Sequence, residues 1–187
     1  MTNTSPPQLI RLFVAIDLPD PVKAPLHGLS RELPHASWVK LEQLHLTLRF
    51  IGEVSKQTLS AIADALQRVR FARFPLTLCG VGHFPPRSHP RVLWVGMEGC
   101  GPLIALQQEV ELALIDAGIP PEERPFSPHI TLARLKETAP SAVLQFEKSH
   151  AALSCPTFEV GEFILYSSVL TRQGAIHTRE AVYPCTG

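Results

Sequence analysis

The chain has 187 residues, of which 45% are hydrophobic and 18% charged, and its formal net charge is zero. This composition is typical of a globular protein, and the length predicts one domain or two small lobes that share a core. Zero net charge argues against a long nucleic-acid footprint, which needs a broad basic surface, but it is compatible with a small nucleotide or the end of an RNA strand.

The first half of the chain predicts alternating strands and helices. The expected elements are a strand over 9–16, a helix capped by Asp20 with Pro21 as its first residue, strands over 38–39 and 44–51, and a helix capped by Ser55. Gly52 is expected to end the strand over 44–51.

The second half predicts more hairpins. The expected elements are strands over 76–84 and 92–97, a helix over 103–117 ended by Gly118, a strand over 129–135, a helix over 140–150, and strands over 158–170 and 175–183. Interspersed helices and frequent hairpins predict an α+β fold with antiparallel sheets.

The cysteines give no sign of a metal or redox site. They are widely scattered and form no C-x-x-C pair: Cys79, Cys100, Cys155 and Cys185. No apolar stretch approaches the ~18 residues of a membrane span, and the polar N-terminus does not resemble a signal peptide. We therefore expect a cytoplasmic, monomeric protein with reduced thiols and no contact with membranes.

One short phrase occurs twice in the chain. His45-Leu46-Thr47-Leu48 recurs as His129-Ile130-Thr131-Leu132. Successive side chains of a strand point to opposite faces, so each copy places a histidine and a threonine on one face and two apolar residues on the other. Chance would yield well under one such copy in a chain of this composition, so the pair indicates a functional feature.

Two such strands facing each other would form a polar cleft with two imidazoles and two hydroxyls. Histidine has an ordinary pKa of about 6.5, so one ring can be neutral and the other protonated near neutral pH. One ring can then take a proton from water while the other donates a proton to a leaving oxygen. The hydroxyls of Thr47 and Thr131 can donate to phosphate oxygens where charge develops.

Segments around and beyond the motifs match one known family. They are residues 11–19, 38–39, 45–54, 90–95, 126–134 and the final hairpin with 165–168. Together they cover nearly the whole chain and make it resemble the two-histidine phosphoesterases, and among these the RNA 2′,3′-cyclic phosphodiesterases, also called 2′-5′ RNA ligases.

The resemblance implies a fold and an activity. The fold is a single bilobal domain over 1–187, with two pseudo-symmetric lobes of antiparallel sheet and helices around a central cleft. The activity is hydrolysis of 2′,3′-cyclic phosphates, at RNA 3′ ends or on nucleotides, to 2′-phosphates, with a reversible and inefficient 2′-5′ joining of RNA ends. Neither a metal nor another cofactor is implied.

The resemblance also assigns residue roles. His45 is the general acid that protonates the departing 3′-oxygen, and His129 is the general base on water. Arg134 matches an arginine near the phosphate, and Phe50 an aromatic residue near the base, although core packing explains Phe50 equally well. In a regular strand Arg134 would lie on the face opposite His129, so its role requires a β-bulge or a strand end.

Other titratable residues are assigned to ordinary positions. His177 lacks the H-x-T spacing and is excluded from catalysis. His83 and His89 flank a proline-rich loop and are expected at the surface, and Glu122-Glu123 is expected in a solvated turn. Arg87 and Lys136 are modest candidates for contact with RNA phosphates.

Three other functions remain open. One is an esterase for small cyclic nucleotides or 2′-5′-linked oligonucleotides, because the motif recognises only the phosphate. A second is a non-catalytic binder of phosphorylated RNA ends, which two intact histidines argue against. A third is a metallohydrolase with both histidines as ligands, which ranks low because no acidic residue follows either motif at ligand spacing.

Overall fold

The protein has an α+β fold with antiparallel sheets, as the sequence predicts. A computed structural model describes residues 9–86, 89–172 and 174–186. Within these ranges it contains nine β-strands, four α-helices and two short 3-10 turns. Arg87, a predicted phosphate contact, and Gln173, in the predicted final turn, lie outside the described residues.

The elements follow the predicted order along the chain. The strands are β1 (Ile10–Asp17), β2 (Ala36–Trp38), β3 (His45–Val54), β4 (Phe74–Phe84), β5 (Val92–Glu98), β6 (Ile130–Leu135), β7 (Phe158–Val160), β8 (Glu162–Thr171) and β9 (Gly174–Pro184). The helices are α1 (Asp20–Gly28), α2 (Lys56–Leu66), α3 (Gly101–Asp116) and α4 (Pro140–Ser149), and the 3-10 turns are Leu29–Arg31 and Leu41–Gln43.

The strands form two sheets that repeat one arrangement. The first sheet has the order β3-β1-β8-β9, and the second has the order β2-β6-β5-β4-β7. The run β6-β5-β4-β7 corresponds to β3-β1-β8-β9. Each run begins with a motif strand: β3 starts at His45, and β6 starts at Ile130, directly after His129. The two motifs therefore occupy equivalent positions in two pseudo-symmetric lobes.

One large cluster of buried side chains extends through both lobes. Leu46 and Ile130, the apolar residues inside the two motifs, are fully buried in it. Leu66 of α2 and Leu106 of α3 belong to the same cluster. Burial of an aliphatic side chain stabilises the fold by about 1.5–3 kcal/mol. Because the apolar face of each motif strand packs in the core, the face with the histidine and threonine must point away from the core.

The helix ends follow from local chemistry. The Ser55 hydroxyl accepts a hydrogen bond from the Thr58 N–H at 3.1 Å and caps α2, as predicted. Gly118, just beyond α3, has a φ of +85°, which a residue without a Cβ adopts without strain. The predicted cap at Asp20 is wrong, because Pro19 occupies that position and Asp20 is the first residue of α1.

Two predicted strand boundaries are also wrong. Gly52 does not end β3, because its φ of +90° lets the strand continue to Val54 while still paired with β1. The strand predicted over 158–170 is two strands, separated at Gly161, that belong to different sheets. A continuous apolar run does not reveal that its two parts pair with different partners.

Candidate active site

The two motif strands, β3 and β6, contact each other where the two sheets meet. Thr47 and Thr131 are both half-buried, and each lies on the same strand face as the histidine of its motif. The structure thus brings the four polar motif residues to the region between the lobes.

The strand β3 contains a β-bulge directly after its threonine. Thr47 pairs with Ala15 and Arg49 pairs with Val14, so Leu48 is an extra residue in the ladder. Leu48 and Arg49 are consecutive buried residues, which a regular alternating strand would not give. The bulge shifts the alternation by one position, and the residue five places after His45 returns to the histidine face.

The strand β6 contains the same bulge at the equivalent place. Thr131 pairs with Trp94 and Ala133 with Leu93, so Leu132 is the extra residue. Leu132 and Ala133 are again consecutive buried residues.

The bulges determine where Phe50 and Arg134 lie. Phe50 and Arg134 follow their histidines by the same five positions, and each shares a face with its own H-x-T pair. Phe50 is 55% exposed, which argues against core packing, and Arg134 is exposed. The bulge that Arg134 needs in order to share a face with His129 is therefore present. The two equivalent positions hold an aromatic ring, Phe50, in one lobe and a cation, Arg134, in the other.

Both histidine rings are held by the same hydrogen bond. His45 Nδ1 donates to the backbone carbonyl of Gln43 at 2.7 Å, and His129 Nδ1 donates to that of Ser127 at 2.8 Å. Because a carbonyl only accepts, Nδ1 must hold the proton in each neutral ring. Among the described residues, Nε2 of neither ring has a hydrogen-bond partner, so Nε2 is the nitrogen available to a substrate in both rings.

The His45 ring lies among aromatic neighbours. Its centroid is 4.9 Å from that of Phe13 and 5.4 Å from that of His177. Burial lowers the pKa of His45, and the nearby His177 and Lys23 lower it further, against the opposing effects of the Gln43 carbonyl and Asp17. Burial also lowers the pKa of His177.

A buried apolar cluster and a polar network lie beside His45. Phe13, Ala15, Ile164 and Tyr166 form a small cluster separate from the main core. The Tyr166 hydroxyl donates to Asp17 at 2.6 Å, and Arg179 also donates to Asp17. Burial and the bond to Asp17 raise the pKa of Tyr166 to about 12, so this phenol stays protonated near neutral pH.

The His129 ring has a different environment. Phe84 meets it edge-on at 4.9 Å between centroids, and Trp94 lies 5.4 Å from Phe84. Trp94 is the cross-strand partner of both Thr131 and Gly82. A side chain at position 82 would overlap the indole ring, so the glycine makes room for this aromatic surface.

Arg49, which the bulge turns toward the interior, connects β3 to the loop before His129. Its guanidinium donates to Glu111 at 2.6 Å, to the Pro120 carbonyl at 2.6 Å and to Glu122 at 3.2 Å. Glu122 and Glu123 lie in a partly exposed loop, as predicted, but Glu122 is also paired with Arg49, which the sequence does not predict. A pocket of about 400 Å³ lies beside this network, on the face of β3 opposite the histidines.

The remaining predicted positions have surroundings of their own. His83 is not at the surface as expected, because it bonds Glu147 of α4 through Nδ1 at 2.6 Å. His89 and Lys136 are exposed. Within the described residues, no group of three or more His, Cys, Asp and Glu side chains could hold a metal ion, and no helix is both long and apolar enough to cross a membrane.

The sequence model of the family described as LigT like Phosphoesterase matches residues 16–94 and 95–177, one match for each motif. The chain belongs to this LigT-like phosphoesterase family. It is 41% identical over 141 residues to the RNA 2′,3′-cyclic phosphodiesterase of Aeropyrum pernix, and the aligned region covers 74% of this chain and 80% of that protein.

Two further relatives cover nearly all of the chain. The RNA 2′,3′-cyclic phosphodiesterase of Thermotoga maritima is 38% identical over 184 residues, or 94% of this chain and 95% of that protein. The crystal structure of E. coli LigT complexed with 3′-AMP superimposes with a TM-score of 0.79 at 30% identity, over 96% of this chain and all (100%) of that one.

Sequence reasoning missed two features of the LigT-like site. The absence of the H-x-T spacing excludes His177 from catalysis in the sequence, yet the hairpin of β8 and β9 brings its ring to 5.4 Å from that of His45. The sequence gives no signal of the Arg49 network, because regular alternation places Arg49 on the same face as His45 and Thr47. The signal available in the sequence is that the resemblance places both Phe50 and Arg134 near the substrate, because an offset of five from a histidine reaches the histidine face only through a bulge.

Proposed function

We propose that this LigT-like protein hydrolyses 2′,3′-cyclic phosphates, at RNA 3′ ends or on nucleotides, to 2′-phosphates without a metal. The observation that supports this most directly is the pair of equivalent histidines, each held through Nδ1 by a carbonyl two residues earlier. The activity named for the relatives agrees with it.

The reaction needs a base that takes a proton from water and an acid that gives a proton to the leaving oxygen. A neutral ring held through Nδ1–H accepts a proton at Nε2, and the same ring, when protonated, donates from Nε2. In our proposal His129 takes a proton from water, which attacks phosphorus in line with the departing 3′-oxygen. His45 donates a proton to that oxygen, so the bond from phosphorus to the 3′-oxygen breaks and the phosphate stays on the 2′-oxygen.

The unlike residues at the two bulges support this direction. In an in-line reaction the nucleoside lies on the side of the leaving oxygen. Phe50 lies 5.9 Å from Phe13 between ring centroids and offers a nucleobase an exposed aromatic surface on the His45 side. Arg134, on the His129 side, can stabilise charge on the phosphate while Thr47 and Thr131 donate to its non-bridging oxygens.

The joining of RNA ends would use the same groups. The 5′-hydroxyl of a second RNA, in place of water, would give its proton to His129 and attack phosphorus, while His45 protonates the departing 3′-oxygen, so that the phosphate then joins the 2′-oxygen to the 5′-oxygen. We therefore propose a slow and reversible 2′-5′ joining of RNA ends as a secondary activity. We also propose that 1–187 acts as a single bilobal domain and as a cytoplasmic monomer, since one chain supplies both histidines and all four cysteines are free.

The proposal is tested with an RNA oligonucleotide that ends in a 2′,3′-cyclic phosphate, incubated with the protein in excess chelator. We expect a 2′-phosphate product, identified by ³¹P NMR. His45→Ala and His129→Ala should be inactive, whereas His27→Ala, which removes an exposed histidine of α1, should be fully active. Activity that chelator abolishes and zinc restores would favour a metallohydrolase, and binding without turnover would favour a non-catalytic binder.

A further inference from the structure

The cleft contains a third imidazole that the H-x-T motifs do not supply. His177 lies on β9, and its strand partner is Ser168 of β8. We propose that His177 is a positioning residue for the reaction and acts through His45. This inference rests on the proposed function of His45 in proton transfer.

The rings of His177, His45 and Phe13 form a mutually packed trio. His177 meets Phe13 edge-on at 4.9 Å between centroids and lies 5.4 Å from His45, while Phe13 lies 4.9 Å from His45. Tyr166 packs edge-on against His177 at 6.3 Å. The His45 ring is thus held between a phenyl ring and a second imidazole.

A hydrogen bond joins the backbone of β9 to the residue that holds His45. Gln43 accepts from His45 Nδ1 through its backbone carbonyl, and its side-chain amide donates to the carbonyl of Ala175. Ala175 precedes His177 by two residues on β9. The position of the His177 ring and that of the His45 ring are therefore fixed through the same glutamine.

The charged groups around His45 come from three elements. Asp17 of β1 favours the protonated ring, whereas Lys23 of α1 and His177 of β9 disfavour it. Asp17 is also bonded to Arg179 of β9 and Tyr166 of β8, so part of its charge is already neutralised. Whenever His177 is itself protonated, its charge therefore lowers the pKa of His45.

Two imidazoles at this distance oppose each other's protonation, because like charges in a partly desolvated site repel. His45 must hold a proton when the cyclic phosphate is bound and release it as the 3′-oxygen departs. A neighbouring imidazole that is itself protonated makes protonated His45 a stronger acid. The anionic phosphate opposes this effect, so substrate binding itself would promote protonation of His45.

The effect belongs to one half of the cleft. Among the described residues, the ring contacts of His129 are with Phe84 and include no second imidazole. β9 corresponds to β7 in the other lobe, and β7 has only three residues, Phe158–Val160. The longer β9 thus gives His45 a neighbour that His129 lacks.

NMR titration of the histidine ring signals tests the inference without reference to activity. His177→Phe keeps an aromatic ring against Phe13 and removes the titrating group, and His177→Gln keeps a polar side chain without a charge. In both variants we expect the pKa of His45 to rise relative to the wild type. Thr178→Ala, a change at the neighbouring exposed position on the opposite face of β9, should leave it unchanged.

Kinetics on a 2′,3′-cyclic phosphate give the second readout. In His177→Phe the limb of the kcat/KM profile that reports His45 should move to higher pH. The kcat at the optimum should change by no more than about tenfold, since losing a proton-transfer group itself costs ~10²–10⁴-fold.

The two proposals fail in different ways. If the pKa of His45 is unmoved in folded His177→Phe and His177→Gln, as shown by native-like amide spectra, His177 does not act through His45 and the inference is overturned. If the wild type does not hydrolyse cyclic phosphates, the proposed function fails, while the titration still decides whether the two imidazoles are coupled.

Discussion

The two halves of the cleft have the same backbone and different surroundings. Each has an H-x-T strand, a bulge after the threonine and a carbonyl that holds the histidine through Nδ1. Around these shared parts, one half has Phe50, Phe13 and His177, and the other has Arg134, Phe84 and Trp94. In the proposed reaction, the symmetry would bring two imidazoles to one phosphate, and the differences would give them unlike roles.

The comparison also separates positioning from chemistry. The backbone hydrogen bonds set the ring orientation and tautomer equally in both halves. Burial and neighbouring charge then lower the pKa of His45. An in-line displacement needs one proton acceptor and one proton donor, so a duplicated framework with unlike surroundings fits the reaction better than a fully symmetric one.

Removal of either histidine should have the largest effect. We expect His45→Ala and His129→Ala each to lower kcat on a 2′,3′-cyclic phosphate by at least ~10²-fold, because each loses a proton-transfer group. The double variant should lose far less than the product of the two effects, since the pair acts as a unit. Steady-state kinetics would check this, and near-normal turnover in one variant would remove that histidine from the mechanism.

Arg134 should matter mainly in the transition state. Arg134→Met keeps the aliphatic length and removes the guanidinium, so we expect kcat to fall by roughly 10²-fold with a smaller change in KM. Arg124→Met, which changes an exposed arginine of the preceding loop, is the control. An effect confined to KM would mean that Arg134 binds substrate and transition state equally.

Arg49 should contribute to stability more than to chemistry. Its equivalent in the other lobe is Ala133, which is also buried. Arg49→Met would leave the Glu111 carboxylate without its cation and Glu122 paired only with Arg124, and we expect a loss of about 2 kcal/mol in the free energy of unfolding. Urea unfolding measures it, and Arg49→Met combined with Glu111→Leu should recover part of the loss. An unchanged unfolding midpoint would refute the role of this network.

Phe50 should have the smallest effect, and it should appear in substrate binding. If its exposed ring stacks on a nucleobase, Phe50→Leu should raise KM by about five- to tenfold, toward the low end of 1–3 kcal/mol per stacked base, with kcat nearly unchanged. A cyclic phosphate without a base should show no difference between the variant and the wild type. Equal losses on both substrates would assign Phe50 to packing.

The sequence predicted most of the fold because local signals and burial patterns agreed. The Ser55 cap, the Gly118 helix end and the apolar faces of both motifs all appear as expected. The split at Gly161 could not be predicted, because an apolar run does not say which sheet each part joins. The site prediction rests on two repeated motifs and on resemblance, and the bulge that Arg134 requires is visible only in the strand register.

The contributions of His177 and Arg49 could not be read from local sequence. His177 reaches His45 because the β8–β9 hairpin pairs with β1, which is distant in the sequence, and the neighbours of His177 in the sequence contain no signal of that contact. Arg49 is turned inward by a bulge whose presence alternation does not reveal. Both depend on which strands pair and in which register, and these are properties of the whole fold.

The central claim is that equivalent histidines have unlike roles, and one substrate tests it most directly. In a 2′,3′-cyclic phosphorothiolate with sulfur in place of the 3′-oxygen, the leaving group needs little protonation, because a thiol has a pKa near 8.5. We predict that this substrate restores much of the activity of His45→Ala and little of that of His129→Ala. Equal rescue of both variants, or rescue of His129→Ala alone, would contradict the assignment of His45 as the general acid.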